Sequence, residues 1–212
     1  MGDGKFLGYK RLVYAYQEGQ GGIADALRSA RDFCTGQKIC VVLGDNIFSA
    51  DLRPFIRKFI KQKTGARLLL KKVADPSRFG VPVLDGKRIR RIVEKPRMAP
   101  SPYAVTGIYF FDADVFDIIE TLLPSKRGEL EITDVSNTYI NRGDLQYDVL
   151  PGWWTDAGTI PTLHKAAQLA ARTWSNRHPS AMRDGVLPTD EIWTASSTRW
   201  LFGHNSATGR RR

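Results

Sequence analysis

Four stretches of the chain carry side chains suited to chemistry on a charged substrate. The first is Leu43-Gly44-Asp45-Asn46-Ile47-Phe48, where an apolar run ends on a glycine and an aspartate. An aspartate at the carboxyl end of a strand is placed to hold Mg2+, which takes a few hard oxygen ligands plus substrate phosphates. The same residue also suits a turn. The second is Trp153-Trp154-Thr155-Asp156-Ala157-Gly158-Thr159, with a second aspartate in a glycine-containing loop. Two such carboxylates meeting at one edge can share a metal, and Asp156 alone equally suits a cap for the helix that follows. The third, Val93-Glu94-Lys95-Pro96, sets an acceptor beside a cation. A regular strand would point the two to opposite sides, and a surface pair without a role is the plain alternative. The fourth runs from Tyr103 to Phe111. Gly107 inside this strand-like run marks close approach of a ligand or another backbone, or else a bulge.

The elements that must position these residues follow from periodicity. Residues 23–34 put Ile23, Ala26, Leu27, Ala30, Phe33 and Cys34 on one helical face. Ile39 to Leu43 is strand length, and Leu52, Phe55, Ile56, Phe59 and Ile60 line the next helix. Ala66 to Val73 is a further strand. This alternation argues for a parallel sheet covered by helices, with ligands at the carboxyl ends of the strands. Val81–Leu84 and Ile89–Val93 flank Asp85-Gly86 as a hairpin. Val105–Phe111 is a strand rich in β-branched and aromatic residues, leading into a helix from Asp112 or Ala113 to Leu123. A helix over 131–141, a strand over Leu145–Leu150 and a helix over Leu163–Arg172 follow. The chain's first usable strand is expected at Arg11–Tyr16. Residues 173–212 have no sustained period and are expected to be a poorly ordered tail after a core of residues 1–172.

Composition narrows the chemistry further. The 212 residues are 42% hydrophobic and 25% charged, as in a soluble globular protein. No apolar run reaches the roughly 18 residues of a membrane span, and the start has no signal-peptide core, so a cytoplasmic location is expected. Cys34 and Cys40 lack a C-x-x-C partner and suit reduced packing positions. With three histidines, two of them in the polar tail, a Ser-His-Asp or Cys-His mechanism has little to work with. The net charge of +10 can mean nucleic acid or a small polyanionic substrate such as a nucleotide, but a diffuse solvated surface is the expected reading. Its cations are scattered and do not interleave with aromatics on a stripe, so nucleic acid is not the expected partner.

In order and spacing, the motifs resemble the glucose-1-phosphate thymidylyltransferases, within the wider family of sugar nucleotidyltransferases. The resemblance runs from about Gly2 to Arg172. It includes Gly2-Asp3-Gly4, Tyr14-Ala15-Tyr16-Gln17, Gly22-Ile23-Ala24, Leu43 to Phe48, Asp75 to Val81, Glu94-Lys95-Pro96, Tyr103 to Phe111, Arg127 to Asp134 and Asp156-Ala157-Gly158-Thr159. It implies an α/β fold with a Rossmann-like mixed or parallel sheet and flanking helices. It also implies transfer of a nucleotidyl group from dTTP, with UTP as competitor, to glucose 1-phosphate, releasing pyrophosphate. By this likeness Asp45 and Asp156 hold Mg2+, and Lys95 pairs with the sugar phosphate. Glu94 accepts from sugar hydroxyls, Gly80 and Val105 line the sugar pocket, and Tyr109 lies near the phosphate. Gln17 and Gly22 face the nucleobase. A homo-oligomer is a further implication.

The chain departs from the family pattern in three places. The Gly-rich loop of the form G-x-G-T-R-L, whose N–H groups cradle the triphosphate, does not occur in it. The expectation is therefore a core that begins past the first strand. An inactive fragment or partner subunit that keeps only the sugar-phosphate side is the alternative. Phe79 stands where the family often has tyrosine, and Glu18-Gly19-Gln20-Gly21 replaces its usual proline-containing loop.

Overall fold

The structure is a computed structural model that describes residue 5, residues 9–177 and residues 200–203. Its frame is a five-stranded sheet in the order β7 (Leu145–Val149), β3 (Ala66–Lys72), β6 (Tyr103–Phe111), β1 (Ile39–Leu43) and β9 (Trp200–Gly203). Strand β1 (Ile39–Leu43) is I-C-V-V-L, apolar on both faces and buried over its first four residues. Strand β3 (Ala66–Lys72) is buried from Ala66 to Leu70. The longest strand, β6 (Tyr103–Phe111), is buried at every position after Tyr103. A strand apolar on both faces belongs in the middle of a sheet covered on both sides, and β6 takes that place.

This placement changes the expected topology. Helix–strand alternation through β1, the helix α3 (Arg53–Lys61) and β3 argues for parallel neighbours. Instead β6 runs between them, antiparallel to both. Parallel pairing occurs on the flanks, where β3 meets β7 (Leu145–Val149) and β1 meets β9 (Trp200–Gly203). The sheet is therefore mixed, as the family resemblance allows, and not all-parallel as the alternation alone argues.

Two apolar layers hold it. On one face Ile39, Val41, Leu68, Leu70, Tyr109 and Phe111 pack under α1 (Ile23–Arg28), α2 (Arg31–Cys34), α4 (Val115–Glu120) and α5 (Ile132–Asn141). On the other, Cys40, Val42, Leu69, Ile108 and Phe110 meet Phe55 and Phe59 of α3. The single helix expected over 23–34 is broken at Ser29-Ala30; of its expected apolar face Leu27, Ala30 and Cys34 are buried, Ile23, Ala26 and Phe33 only partly so, and Ala24 is buried beside them. Helix α4 stops before Leu123, which is 83% exposed and has no core to join. Residues 11–16 form no strand, and Tyr14 and Tyr16 are exposed. The apolar positions there lack a buried face to serve.

Two small sheets complete the frame. Strands β4 (Gly80–Asp85) and β5 (Arg88–Glu94) form the expected hairpin, with Gly86 at φ 56° in its turn. Strands β2 (Asn46–Phe48) and β8 (Trp154–Asp156) form a short antiparallel pair. Helix α6 (Ile160–Arg177) runs past the expected end at Arg172, and β9 adds a strand within the segment read as a tail. The rest of 173–212 lies outside the described residues, as do Gly2-Asp3-Gly4. Among the described residues no helix is long and apolar enough to cross a membrane.

Candidate active site

Chain connectivity delivers the first carboxylate. Strand β1 ends at Leu43, Gly44-Asp45 turns the chain, and β2 begins at Asn46. Strand β8 then pairs with β2 so that Asn46 is opposite Asp156, Ile47 opposite Thr155 and Phe48 opposite Trp154. The Ala157 N–H donates to the Asp45 carbonyl at 2.6 Å, extending the pairing by one step. Asp45 and Asp156 are thus brought together although 111 positions separate them in the chain.

The side chains converge as well. A Cβ at Gly158 would lie 3.5 Å from Asp45 Oδ2 and 3.9 Å from Asp156 Oδ2. The missing side chain of Gly158 leaves that space open between the two carboxylates. Arg78, in the 3-10 turn Pro76–Arg78, places Nη2 3.2 Å from Asp156 Oδ2. Its guanidinium lies 5.5 Å from the Phe79 ring centre, and Phe79 packs edge-on against Trp154 at 5.2 Å. The phenylalanine at this position therefore serves as an apolar support beside Asp156.

A second group of residues gathers at the end of β5. Glu94 and Gly80 are register partners across the hairpin. Thr133 Oγ1 donates to Glu94 Oε2 at 2.6 Å, and Arg127 Nη2 lies 3.9 Å from Glu94 Oε1. A Cβ at Gly80 would be tight against Ile92 Cγ2 at 3.2 Å and Thr133 Oγ1 at 3.3 Å, and would touch Glu94 Oε2 at 3.4 Å. Lys95 is exposed, at φ 42°, and its N–H donates to the Phe79 carbonyl at 3.0 Å. A side chain at positive φ has left the extended strand geometry, so the alternation argued for Glu94 and Lys95 ends at this pair.

Val105 and Tyr109 are core residues of β6, 8% and 5% exposed. The Tyr109 ring stacks on Phe111 at 5.9 Å. Burial pushes its hydroxyl far above the usual phenol range, and the charges of Glu94 and Asp45 push the same way. Tyr109 is therefore a neutral phenol in the core of β6.

Gln17 and Gly22 are joined to each other. Gln17 Nε2 donates to the Gly22 carbonyl at 3.0 Å and to Asp25 Oδ2 at 2.8 Å. Gly22 has φ 91°, and a Cβ there would lie 2.6 Å from the Leu130 carbonyl oxygen. Leu130 N–H donates to Gly21 at 2.7 Å. These contacts tie the start of α1 to the segment before α5.

Three residues were not singled out by sequence reasoning: Arg78, Thr133 and Asn46. Arg78 and Thr133 lie inside motifs that carry the family resemblance, which is the signal that points to them. Asn46 follows Asp45 directly, but its partners are distant in the chain.

The donor set fits a magnesium ion. Among the described residues no three His, Cys, Asp or Glu side chains form a metal cluster. Two carboxylates and an open space remain, and Mg2+ is commonly held by one or two carboxylates together with substrate phosphates. The Arg78 guanidinium on Asp156 shows that this rim accepts positive charge.

Comparison with known proteins places the chain in a family. The family model described as nucleotidyl transferase matches residues 2–173. A glucose-1-phosphate thymidylyltransferase of Xanthomonas campestris pv. campestris is 44% identical over 172 residues, covering 79% of this chain and 58% of that protein. One from Neisseria gonorrhoeae is 40% identical, covering 92% of this chain and 71% of the relative. The chain thus spans little more than half the length of the Xanthomonas relative. Among solved structures, a Bacillus anthracis protein assigned as a glucose-1-phosphate thymidylyltransferase, in complex with sucrose, superposes with a TM-score of 0.76. It is 50% identical, over 80% of this chain and 68% of that one. A UDP-glucose pyrophosphorylase complexed with UDP-glucose shares the fold, with a TM-score of 0.69 at 24% identity over 76% of this chain and 66% of that one. The family match over residues 2–173 and the relatives that share both sequence and fold show that the chain belongs to the nucleotidyl transferase family.

Proposed function

We propose that this chain carries the site of a glucose-1-phosphate thymidylyltransferase, which joins glucose 1-phosphate to dTTP to give dTDP-glucose and pyrophosphate. The observation that supports this reading most is the β2–β8 pairing, which sets Asp45 and Asp156 around one open space. Their carboxylates would hold Mg2+, which when bound neutralises charge on the reacting phosphates.

The remaining work is positioning, as in phosphoryl-type transfers generally. A phosphate oxygen of the sugar phosphate attacks the α-phosphorus of the nucleotide. The bond from that phosphorus to the bridging oxygen breaks, and pyrophosphate leaves with the electron pair. Lys95 supplies an ammonium to the sugar phosphate. Glu94, oriented by Thr133, accepts from sugar hydroxyls. Gly80 leaves room beside that carboxylate, and Val105 contributes an apolar wall. Gln17 and Gly22 belong to the nucleobase side.

Pyrophosphate release in the presence of Mg2+, glucose 1-phosphate and dTTP tests the reading, with UTP in parallel to settle the base. Turnover that falls at least about 100-fold in Asp45→Ala and Asp156→Ala supports it. Turnover unchanged in both variants contradicts it. Sugar phosphate binding without pyrophosphate release would favour a chain that serves only the sugar side.

A further inference from the structure

Asn46 lies between the two halves of the metal rim and is nine-tenths buried. Its Oδ1 accepts two hydrogen bonds, from the Gly107 N–H at 2.8 Å and from Trp154 Nε1 at 2.7 Å. Its Nδ2 donates to Asp45 Oδ1 at 2.8 Å. These partners fix the amide's orientation. Turned over, it would present its NH2 to two N–H donors and its oxygen to a carboxylate, losing all three bonds. Gly107 leaves the space for it, since a Cβ there would lie 2.4 Å from Asn46 Nδ2.

We propose that Asn46 is a positioning residue for the metal rim: held by β6 and β8, its amide occupies one oxygen of Asp45 and turns the other, Oδ2, toward Asp156. The observation is the division of labour at Asp45. Oδ1 is held by Asn46, whereas Oδ2 faces the open space at Gly158. Partners that orient metal-ligating carboxylates act through the ligand, and their removal commonly weakens metal affinity about 10- to 100-fold. The proposal rests on the reading of Asp45 and Asp156 as metal ligands.

The test is equilibrium binding of Mn2+ alone, followed by electron paramagnetic resonance, with folding checked by circular dichroism. Asn46→Ala is expected to weaken binding about 10-fold or more. The double variant Asn46→Ala/Gly107→Ala refills the vacated space without restoring the donor, so thermal stability should recover and Mn2+ affinity should not. Trp154→Phe removes one bond that holds the amide and should weaken binding by a smaller factor. Folded Asn46→Ala with wild-type affinity, or a double variant that recovers affinity with stability, would overturn the proposal. If Asn46→Ala does not fold, Trp154→Phe decides: weakened binding supports the proposal and unchanged binding overturns it. A wild-type chain that binds no Mn2+ would remove the metal reading itself and this proposal with it.

Discussion

Asn46 and Asp156 face each other as register partners across β2 and β8, while Asp45 accepts a hydrogen bond from Ala157 at 2.6 Å on the next step of the same pairing. One short ladder therefore sets the separation of two acids supplied by opposite ends of the fold. Strand β1 brings one and the segment after β7 brings the other. The placement of both carboxylates thus depends on six residues of strand.

The Thr133 hydroxyl holds Glu94 in place, so its loss should act on sugar phosphate binding. Thr133→Val keeps the shape of this buried residue and removes the 2.6 Å bond to Glu94 Oε2. A hydrogen bond to a charged group is worth about 1.5–3 kcal/mol, which corresponds to at least roughly a tenfold weaker dissociation constant for glucose 1-phosphate. Titration calorimetry reads this directly, and Thr133→Ser should retain most of the affinity.

Gly107→Ala should destabilise the chain. The new methyl would meet Asn46 atoms at 2.4 to 2.8 Å, and neither the amide nor β6 has room to retreat without breaking the bonds between them. Overpacking of this kind costs about 1–3 kcal/mol, and urea unfolding should show a lower midpoint. An unchanged midpoint would mean that the Asn46 amide does not lie over Gly107.

Tyr139 predicts how stability changes at high pH. Its hydroxyl donates to Asp112 Oδ1 at 2.6 Å within the core. Burial, then this bond and the Asp112 charge, push its ionisation far above the ordinary value of 10.0. A folded-state value above the unfolded one means that the contribution is complete below about pH 10 and is lost as pH rises beyond it. Tyr139→Phe should lower stability by about 1.5–3 kcal/mol at neutral pH and flatten the alkaline decline measured by denaturant titration. Tyr109, shifted the same way by burial, keeps part of that decline in the variant.

Much of this frame was legible in the sequence because its elements are long and periodic. Strand β1, helix α3, the β4–β5 hairpin and strand β6 announce themselves through apolar runs and a turn at Asp85-Gly86. The decisive ladder did not, since β2 and β8 have three residues each, too few for an alternation to register. At position 107 the expected bulge is present, since Leu69 alone faces the residues between Val105 and Tyr109; the close neighbour there is the Asn46 side chain, a contact 61 positions away that no local pattern encodes. Strand period also failed at Lys95, because a positive φ is invisible to alternation. The strand expected over Arg11–Tyr16 had the right residue types without a buried face to receive them.

The proposed reaction needs one divalent ion shared by two carboxylates. Mn2+ titrations of the wild-type chain, Asp45→Asn, Asp156→Asn and the double variant test this most directly. A shared ion predicts one site in the wild type, a large loss of affinity in either single variant, and no further loss in the double. Independent sites, with each single variant retaining tight binding at the other carboxylate, would contradict it.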